Sequence, residues 1–269
     1  MKKIFFVTIL IITFFISKYS FSKSSDLYVG SIISRTIKYR FIDYNLPDGE
    51  WEVFDKYFAM IDELSTVRIE CISFVQKEVN TIKGAFEICE LNLGGLAPNQ
   101  IGSFFVNEFR NGKYDSCILR PEYFYAKLYT RGGSSNCFLI RHYDVNKEIY
   151  FPDDPEDKGG IVRLEKYLKR NNLILPKTML GRESVIFVPS IKDKWIGIAY
   201  AINPELFGAP KIINAKEEKS EYHRDNIGNF PEQKNFILKW SIEQSKLHQQ
   251  LEKVLNLRTR HMLDFSDLN

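Results

Sequence analysis

The chain has 269 residues, 44% of them hydrophobic and 26% charged, a balance that supports a buried core and excludes a disordered or low-complexity chain. Lys and Arg number 37 against 34 Asp and Glu, a net charge of +3, which is too weak a field to recruit nucleic acid. The four cysteines are an even set, the arithmetic of disulfides if the chain is exported.

The first residues predict export. Lys2 and Lys3 form a positive start, Ile4 to Ile16 is an uncharged, mostly apolar run, and Ser20-Phe21-Ser22 places small residues where a signal peptidase reads. Residues 1–22 therefore read as a secretory signal peptide, with cleavage after Ser22. An uncleaved N-terminal anchor is the competing reading, but the run is short of the ~20 residues a membrane span needs. No cysteine lies at the cleavage site to carry a lipid, and no later stretch is long and apolar enough to span a bilayer. Loss of Lys2, Lys3 and Lys18 leaves 34 basic and 34 acidic residues, so the mature chain is formally neutral. Residues 23–269 carry no Pro/Gly/Ser-rich linker and no internal repeat, and are expected to form a single domain.

In chain order, residues 24–30 read as a frayed start, and Thr36 to Asp43 alternates like one strand. Leu46-Pro-Asp-Gly49 is a turn, since Pro fixes φ and Asp-Gly supplies the bend. Glu50 to Phe54 returns as a strand with Trp51 and Val53 on one face, Trp51 as a core anchor. Thr66–Val75 and Ala85–Leu91 are alternating strands that carry Cys71 and Cys89. A turn near Asn80 would set the two sulfurs opposite each other, and two buried free thiols are the alternative. Gly94 to Pro98 reads as a loop, and Ile101, Phe104, Phe105 and Phe109 recur at helical spacing up to Gly112. Cys117 and Cys137 would close a second bridge.

Tyr123–Tyr129 and Cys137–Tyr143 read as strands flanking a loop at Arg131 to Asn136, whose glycines lack the spacing of a phosphate-binding loop. Phe151 to Asp157 is an acidic loop without the offsets of a calcium site. Ile161, Leu164, Tyr167 and Leu168 mark a short helix ending near Asn171-Asn172. Ser184–Val188 and Trp195–Ile202 are the most hydrophobic strands, expected at the centre of the sheet. Asn203-Pro204 stops the second. A long helix starts near Pro231, with Phe236, Trp240, Leu247, Leu251 and Val254 along one stripe. That stripe packs on the sheet or mediates a homodimer, and the residues after Leu255 read as a tail.

Several short motifs occur in a fixed order. They are Leu46-Pro47 with Gly49 and Trp51, the Cys117 and Cys137 pair followed by His142, Asn203-Pro204 with Gly208, Tyr222-His223 with Asp225 and Ile227, and the final helix with Phe236 and Trp240. In this the chain resembles a family of exported bacterial proteins that has no assigned activity. The resemblance implies export and the fold but no chemistry. Cys71 and Cys89 lie outside its pattern, and Tyr222 stands where the family more often has Trp.

Candidate chemistry rests on two His-x-Asp pairs, His142 with Asp144 and His223 with Asp225. Positions i and i+2 of a strand face the same way, so two pairs brought together would offer four ligands to a divalent metal. No metal-ligand spacing links the pairs, and two unrelated pairs are the simpler expectation. Tyr222, His223, Arg224 and Asp225 form the first-ranked ligand site, because His, Arg and Asp together can hold an anion or move a proton. The chain has no Gly-x-Ser-x-Gly elbow, no dinucleotide fingerprint, no His-Glu-x-x-His and no Cys-x-x-Cys.

The sequence thus predicts an α+β domain: a mostly antiparallel sheet, two short helices and a long C-terminal helix packed on it. Its expected role is a periplasmic or secreted protein that binds a small ligand or an envelope partner, or has a structural part there, without a cofactor. The alternative is a hydrolase or metal-dependent enzyme using His142, Asp144, His223 and Asp225.

Overall fold

Long alternating segments build the sheet. The computed structural model describes residues 22–23, 27–34, 36–39, 42–60, 68–92, 123–131, 134–145, 158–188, 194–214 and 216–255. Its strands are β1 (Ser22–Lys23), β2 (Ile32–Ile33), β3 (Thr36–Tyr39), β4 (Ile42–Asn45), β5 (Trp51–Met60), β6 (Arg68–Glu78), β7 (Thr81–Asn92), β8 (Tyr123–Arg131), β9 (Ser134–Asp144), β10 (Thr178–Val188) and β11 (Lys194–Ile202). Helix α1 (Lys158–Asn171) joins β9 to β10, and α2 (Pro231–Val254) closes the described chain.

The main sheet has eight strands in the order β2-β5-β6-β7-β11-β10-β9-β8, all paired antiparallel. It consists of two meanders, one on each side, joined where β7 meets β11. Strands β10 and β11 therefore lie inside the sheet, as their hydrophobicity predicts. On β11 the alternation is clean: Ile196, Ile198, Tyr200 and Ile202 are buried on one face. That face carries α2 and the small sheet β1-β3-β4, and the largest core cluster runs across it, from Leu27 and Ile37 through Phe86 and Phe138 to Trp240 and Leu251. On the other face α1 packs Tyr167 and Leu168 against Val75, Ile82 and Met179. Asn172, at φ 51, stops α1 in the left-handed region that Asn tolerates.

Four expectations change. The single strand at Thr36–Asp43 is a hairpin, with Thr36 opposite Asn45 and Tyr39 opposite Ile42; both arms have the same strand-like composition, so alternation alone does not place the reversal. The frayed start is ordered from Leu27, which is buried, and Gly30 N–H donates to the Val53 carbonyl. Ser134, Ser135 and Asn136 belong to β9 rather than to a loop, because all three pair with β8 and the last two with β10 as well. The strand expected to start at Ser184 already begins at Thr178. The proposed signal peptide except Ser22, the helix at 101–111, Cys117, the acidic loop at 151–157 and the tail after Leu255 lie outside the described residues. Among the described residues no helix is long and apolar enough to cross a membrane.

Cys71 and Cys89 are register partners on β6 and β7 and form a disulfide. The tight Val79-Asn80 turn sets Glu78 opposite Thr81, and a register shift between Gln76 and Lys77 then brings Cys71 opposite Cys89. Cys137 is also disulfide-bonded. Replacing both Cys71 and Cys89 by Ala is expected to lower stability by about 2 kcal/mol, the loss of a cross-link around a short loop. Urea unfolding of the double variant checks this, and an unchanged midpoint would contradict it.

A candidate ligand cavity and a buried polar row

The face under α2 is largely apolar, and besides the buried Glu90 and His142 one row of polar side chains crosses it. In β10, Arg182 and Ser184 point to α2 together with Leu180 and Ile186, because residues two apart share a face. The pairing places Arg182 opposite Tyr200 of β11 and Ile140 of β9, and Ser184 opposite Ile198 and Phe138. Asn136 lies one step further along β9, opposite Ile186. Helix α2 returns His248 and Glu252, one turn apart, to the same spot.

Arg182, Ser184 and His248 form one hydrogen-bonded chain, and Asn136 and Glu252 form a pair beside it. Arg182 Nη1 donates to Ser184 Oγ at 2.6 Å, and Ser184 Oγ lies 2.9 Å from His248 Nδ1. The serine oxygen accepts from Arg182 and has a second lone pair besides its own proton, so the imidazole tautomer sets which of Oγ and Nδ1 donates. Among the described residues His248 Nε2 has no hydrogen-bond partner; it stands 3.7 Å from Glu252 Oε1, which accepts from Asn136 Nδ2. Burial, helped by the positive field of Arg182, pushes His248 down to about 3, so it is neutral at physiological pH. Burial raises Glu252 to about 7, against the opposing hydrogen bond from Asn136. The Phe138 ring covers the imidazole, with centroids 4.9 Å apart.

The order Ser-His-Glu invites comparison with a hydrolytic triad, and the geometry argues against one. Ser184 is 0% exposed, so no substrate carbonyl reaches it. An imidazole titrating near 3 is a poor base for a serine at neutral pH. The row instead ties α2 to β9 and β10 and leaves the guanidinium at one end.

Beyond that end is a cavity of about 130 Å³ over the seam of the two meanders, between α2 and the β3-β4 hairpin. Tyr44, Phe86, Ile198, Tyr200 and Leu251 give it apolar walls, and among the described residues Arg182 is its one charged lining residue. Asn45 and Gln250 are the exposed residues of its lining, at the mouth. Arg182 is 3% exposed. Burial lowers its guanidinium to about 10, which leaves it cationic at neutral pH. Among the described residues its Nε has no hydrogen-bond partner, and its contacts include no carboxylate.

The residues singled out in the sequence are placed elsewhere on the same face. His142 on β9 is fully buried, and its ring meets that of His223 edge-on, with centroids 6.0 Å apart. The two His-x-Asp motifs therefore do come together, through their histidines. Asp225 N–H donates to His223 Nδ1 at 3.3 Å, and the Asp225 side chain is 71% exposed, with its carboxylate 3.9 Å from that nitrogen. Asp144 is half-buried at the end of β9. Of the set Tyr222, His223, Arg224 and Asp225, Tyr222 is in the core and His223 is buried beneath it, while Arg224 is half-buried and Asp225 faces solvent. Among the described residues the one cluster of three His, Cys, Asp or Glu ligand atoms within 4.8 Å is Cys71, Glu87 and Cys89, and its two sulfurs are bonded to each other.

Sequence reasoning missed Arg182, Ser184, His248 and Glu252. A signal for the last two exists: Ile237, Ser241, Gln244, His248, Leu251 and Leu255 follow helical spacing, a stripe rotated from the one drawn through Phe236 and Leu247. The deepest side of α2 is this half-polar stripe, and Phe236 and Leu247 are only half-buried. Its outward face carries Glu232, Lys239, Glu243, Lys246 and Lys253. No family model, curated protein or solved structure matches the chain.

Proposed function

We propose that the protein is an exported, non-catalytic binding component of the cell envelope, and that it takes a small ligand between α2 and the sheet. The observation that carries this reading is the cavity itself. Its lining combines apolar walls with one buried cation, a composition suited to holding a molecule in one orientation. Apart from Arg182 the lining is Tyr44, Asn45, Pro47, Phe86, Ile198, Tyr200, Leu247, Gln250 and Leu251, residues that bind rather than attack. The Cys71–Cys89 disulfide is consistent with an oxidising compartment, though not specific to one.

Native mass spectrometry of the protein released gently from the envelope fraction tests the reading. The expected result is a chain beginning at Lys23 that carries a small molecule lost on denaturation. Recovery from the cytosol with the leader intact removes the export half of the proposal, and a mass equal to bare polypeptide removes the binding half. A second reading, an enzyme centred on His142 and His223, draws on the contact between their rings. Elemental analysis addresses its metal-dependent form: stoichiometric metal supports it, and metal-free protein ends it.

A further inference from the structure

A cation held away from water without a counter-charge destabilises a fold. Desolvation costs several kcal/mol even after relaxation, and a hydrophobe of similar volume is usually as stable or more so. Arg182 is in this position. Among the described residues its one hydrogen bond goes to a neutral hydroxyl, its Nε is buried without a partner, and no carboxylate pairs with it. It lines a cavity that opens toward Asn45 and Gln250. The missing half of the pair has a place to enter.

We infer that the cavity binds a small organic monocarboxylate, with the carboxylate on the Arg182 guanidinium and the apolar body against Tyr44, Phe86, Ile198 and Tyr200. This rests on the binding role proposed above and deepens it. Three features select the class. The guanidinium is the only charged group among the described residues of the lining, so a single negative charge balances it, whereas a phosphate dianion would be left half-compensated. Its planar fork suits a carboxylate. The size sets the body: an apolar cavity of roughly 150 Å³ accepts a benzene, so the present one, at about 130 Å³, accommodates a ring of that order or a short branched chain. Aromatic walls favour the ring. Arg182 is also the first member of the Arg182–Ser184–His248 chain, and a ligand on it is coupled through that chain to α2.

Benzoate, benzamide and inorganic phosphate serve as probes, titrated into the full mature chain by calorimetry with melting temperature as a second readout. Benzoate is expected to saturate one site and raise the melting temperature. Benzamide, which has the same shape without the charge, is expected to bind at least about tenfold more weakly, and phosphate not to displace benzoate. Arg182→Met should lose benzoate affinity by about tenfold or more while melting at or above the wild type. Leu247→Trp narrows the mouth without touching Arg182 and should weaken benzoate likewise, which keeps the proposal testable if the first variant does not fold. Equal binding of benzoate and benzamide, or displacement of benzoate by phosphate, overturns the carboxylate assignment and leaves the binding role standing. Failure of benzoate, with a small molecule still found on the envelope-purified protein, also overturns this inference alone. Failure of benzoate together with bare polypeptide from the envelope overturns both.

Discussion

Trp51→Ala is expected to lower stability by about 4 kcal/mol, the usual cost of emptying a large aromatic site in a core. Trp51 is 0% exposed. Its ring meets Phe86 and Tyr200 edge-on, with centroids 6.2 and 6.1 Å away. Its Nε1–H donates to the Pro47 carbonyl at 2.7 Å, so the buried polar atom is satisfied. It lies over Gly84, where a Cβ would come within 3.1 Å of the indole. Gly84 thus acts here through the room it leaves. Phe86 and Tyr200 are also walls of the cavity, so the substitution should loosen the ligand site as well as the core. Trp51→Phe keeps most of the ring and gives up the hydrogen bond, at an expected cost of about 1–2 kcal/mol. Urea unfolding of both variants checks the order, and equal losses would show that the ring is not what holds this region.

Stability should depend on pH through His248 and Glu252, with opposite signs. Glu252 titrates near 7 in the folded chain against an ordinary 4.5. Between those values the folded state holds the extra proton, so stability falls as pH rises through 7. His248 titrates near 3 against an ordinary 6.5. Between those values the unfolded state holds the extra proton, so stability falls as pH drops below 6.5. From about 6.5 to 4.5 the two slopes oppose each other, and below 4.5 the His248 loss continues without offset. Glu252→Gln isolates one limb. The amide keeps an oxygen for Asn136 and carries no charge to bury. The variant is expected to match the wild type near pH 4.5 and to exceed it by roughly 3 kcal/mol at pH 8. Denaturant midpoints across that range measure the gap. A Glu252→Gln variant less stable than the wild type at pH 8 would mean that the ionised carboxylate is compensated in the fold.

Much of the architecture was legible residue by residue. The run from Trp195 to Ile202 puts alternate side chains on opposite faces, and β11 follows it. Asn203-Pro204 ends that strand because Pro has no N–H to give the ladder, and the chain turns into a short 3₁₀ helix capped by Asn203. Pro231 opens α2 at the position where its missing N–H costs nothing. The Asn80 turn folds β6 back on β7, and with the register shift at Gln76 and Lys77 it sets Cys71 against Cys89. These are local effects, set by φ, by side-chain alternation and by hydrogen-bonding capacity within a few residues.

The cavity was not legible in that way. Nothing near Arg182 in sequence marks it as buried, and Gly181-Arg-Glu-Ser184 reads as the polar edge of a strand that begins later. Its position follows from β10 pairing with both β9 and β11, which encloses the residue in the sheet interior. The partners of its row lie far away in the chain: Asn136 and Glu252 are 116 residues apart, Ser184 and His248 are 64 apart. The His142–His223 contact is likewise a product of packing, since each motif is local but their meeting is not. Sequence by itself indicated most of the strands, the turn near Asn80, the long helix and Cys71–Cys89 as one of two alternatives for those sulfurs, because those depend on short-range backbone chemistry. Tertiary structure alone decided which polar groups lose water and which charge is left without its opposite, because desolvation depends on what the whole fold lays over a residue.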